Sequence, residues 1–148
     1  MNYIIEAIFV GVYTCLIYLI FSSFIKNFYI TLLVVGFLKH LLGHFLGIHT
    51  LYCNNGEACI KVLNQNDKYI SKGYNLIILS VDESILFLIL GLIFKPFFPI
   101  NKLYLYFAIG AVLHILSENF LIHNIFCKHN CDKKQTNNKN YNEVKNIG

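Results

Sequence analysis

Long apolar blocks separated by short polar breaks organise this chain. Four blocks, at about 3–25, 28–52, 76–94 and 103–126, reach or approach the roughly 20 apolar residues that a helix needs to cross a bilayer. Only Lys26 and Asn27 separate the first two, and the segment 95–102, with Pro96 and Pro99, separates the last two. Connections this short make antiparallel helical hairpins, and prolines end the third block and restrict its turn. The middle connection, 53–75, is longer and polar, with Asn54, Asn55 and Gly56 opening it. The expected fold is therefore all-α: a polytopic membrane protein built as a four-helix transmembrane bundle over 1–128. An Asn- and Lys-rich tail, 129–148, follows and is expected to be disordered beyond about Lys133. The first block reads as a retained span and not a cleaved leader, because it has no basic start, contains Glu6 and lacks a small-x-small cleavage site.

Composition agrees with lipid as the solvent. Charged residues are 14% of the chain and hydrophobic ones 56%, against about 25% charged in an average soluble domain. The partner implied is the lipid bilayer, with a second copy or another membrane protein as further candidates. All the basic residues are lysines; without arginine the usual bidentate reader of guanine and phosphate is missing, which argues against nucleic acid. The bias toward Asn, Ile, Lys, Phe and Tyr reads as an AT-rich coding sequence, so the many aromatics carry little functional weight.

Four antiparallel spans put both termini and the 53–75 loop on one side. That side carries Lys61, Lys68, Lys72, Lys128, Lys133, Lys134, Lys139 and Lys145, while the tight turns carry Lys26, Lys95 and Lys102. The positive-inside rule then favours a cytoplasmic position for the termini.

Ionisable side chains inside spans are costly, about 2.5–3.5 kcal/mol at a helix centre on insertion scales, and so mark candidate sites. Glu6, Lys39, His40, His44, Asp82, Glu83, His114, Glu118 and His123 all fall in the blocks. Counted inward from the termini at 1.5 Å per residue, Glu6, His44, Glu83, Glu118, His40 and His114 lie at depths of roughly 5–18 Å, so all four helices contribute to one layer. Gly36, His40, Gly43, His44 and Gly47 share one helical face, and small residues mark close helix contacts in membranes. Gly110, Ala111, His114, Ser117 and Glu118 share another. Glu83 lies with Ser80, Ser84 and Gly91, with Asp82 offset from them, and Lys39 is expected to pair with Glu83 or Glu118. On a straight helix His123 falls about 180° from His114, which puts it at the interface and off this face.

Three functions fit the layer. His40, His44, Glu83, His114 and Glu118 are a candidate ligand set for a transition metal, since helical bundles build such centres from Glu and His on facing helices, and a metalloenzyme acting on a lipid or other apolar substrate would follow. The same residues could instead carry protons or ions, or serve only as a hydrogen-bonded structural network. Whether the chain is an enzyme stays open, because it lacks the His-Glu-x-x-His motif, a phosphate-binding glycine loop, a nucleophile elbow and a dinucleotide fingerprint. The cysteines are a second constellation: Cys53, Cys59, Cys127 and Cys131 gather near the termini, as two disulfides in an oxidising compartment or as a zinc site, with His129 added, in a reducing one. Cys15 stands apart as a small packing residue.

Overall fold

The computed structural model of the chain describes residues 2–64, 75–98, 101–120 and 122–131, with the side chains of Leu63, Asn64, His129 and Asn130 excepted. Lys68, Lys72 and the expected tail disorder lie outside these residues. The described part is all-helical, without strands. Four long helices, α1 (Tyr3–Ser22), α2 (Phe28–Phe45), α5 (Leu76–Phe94) and α6 (Lys102–Asn119), accompany three short ones, α3 (Ile48–Asn55), α4 (Glu57–Asn64) and α7 (Ile122–Asn130).

Each long helix starts at an asparagine. Asn2, Asn27, Asn75 and Asn101 sit in extended backbone just ahead of an apolar block, and each side chain accepts from N–H groups of the first turn. Those N–H groups have no partner within the helix, so the amide oxygen satisfies them where water is scarce.

Two of the expected spans are broken. The block 28–52 stops at Phe45: Gly47 takes φ 73°, the left-handed conformation glycine adopts at little cost, and its N–H bonds back to His44 O at 3.1 Å. Gly47 thus breaks the block instead of extending the α2 glycine face, and α3 begins after it. The block 103–126 breaks at Phe120, and α7 leaves α6 at 75°. The polar connection 53–75 holds a further helix, α4. By length and composition α1, α2 and α5 could cross a membrane, and α6 with α7 makes a fourth candidate if the bent pair counts as one span.

The long helices pack in the ring α1–α2–α5–α6, with α1 closest to α6 and α2 closest to α5. Glycine permits both close pairings. A Cβ at Gly11 would stand 2.8 Å from the Phe107 ring, and one at Gly36 would stand 2.8 Å from Ser84 Cα. Leu32, Val35, Phe87, Leu105, Tyr106 and Ile109 fill the middle. Polar side chains turn inward as well: Glu6, Thr14, Thr31, Ser80, Ser84, His114 and Ser117 are buried, whereas Ile8, Val12, Leu19, Ile77, Ile85 and Ile89 are exposed. An apolar exterior around a partly polar interior is the arrangement lipid favours and water penalises.

The short helices cap the end of the bundle that holds the chain's start. Cys53 of α3 is disulfide-bonded to Cys131, and Cys59 of α4 to Cys127 of α7. In this arrangement none of the four is a free thiolate for zinc, and the side chain of His129 lies outside the described residues. The N–H of Tyr3 donates to Glu57 Oε2 and the N–H of Glu57 donates to Glu6 Oε1, each at 3.1 Å, which ties the cap to α1. Lys61 pairs with Glu57 at 2.8 Å, and that contact, with the Tyr3 N–H, holds the Glu57 carboxyl below its usual range. Cys15, half-buried, donates to Leu103 O at 3.4 Å across the α1–α6 contact.

Candidate functional site

Beneath the cap lies a cavity of about 460 Å³, within the range of small-molecule sites. All four long helices, α3 and α7 line it, mostly with apolar side chains, and two polar clusters stand in it.

The first cluster belongs to α1, α3, α6 and α7. His114 and Glu118 are one turn apart on α6, and the bend at Phe120 carries His123 back over them. The His114 and His123 ring centroids are 4.6 Å apart, and His123 Nδ1 is 2.9 Å from Glu118 Oε1. One ligand atom each from His114, Glu118 and His123 lie within 4.8 Å of one another. Placing His123 off the inner face was therefore incorrect: a half-turn offset from His114 holds only on a straight helix, and this one is bent.

Two more groups complete the cluster. Glu6, 2% exposed, lies 3.3 Å from His114 Nε2. The Tyr52 hydroxyl donates to Glu118 Oε1 at 2.6 Å and is 2.8 Å from His123 Nδ1. Burial and the Glu118 hydrogen bond push the Tyr52 phenol up, which keeps it a neutral donor. Tyr52 was absent from the candidates because it follows the Gly47 break, which a continuous helix over 28–52 conceals. An Asn-x-Gly or lone Gly at a block's end is the available signal, and Gly47 supplied it.

The second cluster joins α2 to α5. Lys39 and His40 Nδ1 both meet the Glu83 carboxylate, the histidine at 2.9 Å. The pairing of Lys39 with Glu83 agrees with the sequence expectation. His49 of α3, also absent from the candidates, lies with its ring centroid 4.6 Å from that of His40, the two rings tilted by 57°. It lies outside the long apolar helices, and burial, followed by the nearby His40 and His44, holds its imidazole down to about 4. His44 is exposed, meets His49 at 5.7 Å between ring centroids, and does not line the cavity. Asp82 is exposed at the cavity's edge.

The five expected ligands thus divide between two clusters: His40 and Glu83 in one, His114 and Glu118 in the other, with His44 in neither. No protein-family model matches the chain, and neither the curated proteins nor the solved structures contain a match to it. The described residues form an all-helical chain with three to four apolar helices, compatible with a membrane, and a capped, mostly apolar cavity that holds two polar clusters.

Proposed function

We propose that the chain is a four-span membrane metalloprotein whose centre is held by His114, Glu118 and His123 and whose ligand or substrate is an apolar molecule dissolved in the bilayer. The observation that carries this reading is the approach of two imidazoles and one carboxylate to within 4.8 Å of one another. Two imidazoles with a carboxylate suit zinc, as in hydrolases, or non-haem iron(II).

Charge supports the same assignment. The Lys39 ammonium is committed to Glu83, whereas the partners that ion-pair with Glu6 and Glu118 among the described residues are histidines. Buried carboxylates need a compensating cation or a proton, and a metal at this point supplies the cation. The surroundings resemble an outer shell that orients ligands. Glu6 engages Nε2 of His114, and Tyr52 bridges Glu118 Oε1 and Nδ1 of His123. A metal held by three side chains would keep a position open to the cavity, where it would polarise a bound oxygen or activate water.

In this reading α1, α2, α5 and the bent pair α6–α7 are the four spans, and both described termini lie at the capped end. The disulfides support placing that end on an oxidising face. The lysine count favours the opposite, but five of its eight lysines lie at or beyond Lys128, while Lys26, Lys95 and Lys102 crowd two short turns. Giving the disulfides the greater weight, we assign the tight turns to the cytoplasm.

A second reading has one observation in its favour: Glu6–His114 and Tyr52–Glu118–His123 are hydrogen-bonded chains of groups that can exchange protons. A proton carrier would acidify liposomes down a gradient without any metal. Metal analysis of protein purified in mild detergent decides between them. We expect about one equivalent of zinc or iron, lost in His114→Ala and His123→Ala and kept in His44→Ala. Metal-free wild-type protein that carries protons overturns the metal reading.

A further inference from the structure

His40 has a feature that the metal centre does not use. Its Nδ1 faces Glu83 Oε2 at 2.9 Å, and the other oxygen of that carboxylate pairs with Lys39. A carboxylate paired with an ammonium is ionised and can only accept, so Nδ1 carries a proton, and in the neutral imidazole Nε2 then presents a bare lone pair. That Nε2 is buried and bonds to none of the described residues. Leaving an acceptor unmatched in an apolar setting is costly, and native structures seldom do so.

The lone pair lies on a residue that lines the cavity, and the cavity is not sealed. Phe9 of α1, Leu51 of α3, Leu86 of α5 and Ile125 of α7 line it and are exposed. The lining thus continues onto the bundle's apolar exterior, where a molecule dissolved among lipid chains would meet it.

We infer that this end of the cavity binds the head group of a hydroxyl-bearing amphiphile, such as a long-chain alcohol or an acylglycerol, with its O–H donating to His40 Nε2. The apolar tail lies along the cavity and leaves past Phe9 and Leu51. Glu83 is the positioning residue: it fixes the imidazole's tautomer and orientation, in the manner of a carboxylate behind a histidine. The inference rests on the membrane location proposed above but not on the metal. An alkane of the same length has no donor and leaves the lone pair unmatched, so a site built to bond a hydroxyl discriminates against it.

The test uses the full chain in lipid nanodiscs and a diazirine-bearing long-chain alcohol as probe, with labelled residues mapped by mass spectrometry. Labelling is expected at Phe9, Leu51 and their neighbours. It should be displaced by tetradecanol and by a monoacylglycerol, and not by tetradecane. His40→Phe should lower it at least tenfold, and His40→Gln, which keeps an acceptor, should restore part of it. Thermal melting identifies any variant that has lost its fold, in which case the tetradecanol and tetradecane competition on wild-type protein decides alone. Wild-type protein stripped of metal with a chelator should label normally, which separates this inference from the metal centre. Equal displacement by tetradecane and tetradecanol, or full labelling of a folded His40→Phe, would show that water satisfies Nε2 and that the cavity recognises no hydroxyl.

Discussion

Glu6 and Glu118 give the site its electrostatic character, because each carries a carboxylate into the interior with histidine as its partner. Tyr52 holds two of the proposed ligands at once, and outer-shell partners of this kind are worth about 10–100-fold in metal affinity. Tyr52→Phe should therefore weaken zinc binding by about that factor, measured by competition with a chromophoric chelator, with little change in melting temperature. His49 makes a separate pH prediction. Its imidazole falls from 6.5 to about 4 on folding, so the unfolded chain binds more protons between those values. Stability from this group is complete above pH 6.5 and is lost as pH falls toward 4, by at most about 3 kcal/mol given its partial exposure. Melting profiles from pH 7 to pH 4 should slope downward in the wild type and flatten in His49→Phe; parallel profiles would contradict the assignment. At this scale the sequence revealed residues whose depth could be counted along one uninterrupted helix. Glu6, His114 and Glu118 were legible for that reason. His49, Tyr52 and His123 were not, since each lies just past a break in its helix.

Helices here are delimited by asparagine and brought together by glycine. The caps are readable from sequence, an Asn directly before each apolar block, although hydropathy alone does not use them. Asn75→Ala should cost about 1 kcal/mol by removing the acceptor at the start of α5, and chemical or thermal unfolding in detergent measures it. At Gly36 a larger effect is expected. An added Cβ would stand 2.8 Å from the backbone at Ser84, where no flexible side chain can give way, so α2 and α5 must separate. Gly36→Ala should destabilise by about 1–3 kcal/mol, the range for overpacked interiors, while Gly47→Ala strains φ and disturbs the cap. The glycine face of α2 was legible as a contact surface. That Gly47 ends the helix was not, because position on a helical wheel is silent about backbone conformation.

The whole molecule joins an apolar bundle to a cross-linked cap. Alternating blocks and short turns made the bundle legible, and the count of four spans depends on how the bent pair α6–α7 is taken. The cap was hidden because α3, α4 and α7 are short and partly polar, and because four cysteines permit three pairings that spacing cannot separate. The two bridges cross-link α3 and α4 to the end of α7, and removing such a bond costs about 2–5 kcal/mol in small domains. Cys59→Ala with Cys127→Ala should lower the melting temperature and loosen α7, which carries His123, so metal affinity should fall with it. If the doubly substituted protein binds metal as tightly as the wild type, the cap does not position the centre. The most direct test of the central claim is X-ray absorption at the metal edge of wild-type protein loaded with zinc. A shell of nitrogen and oxygen scatterers at about 2.0–2.1 Å with imidazole features is expected, weakened in His123→Ala. A sulfur shell at about 2.3 Å would place zinc on the cysteines, and a spectrum of hydrated zinc would mean that His114, Glu118 and His123 hold no metal.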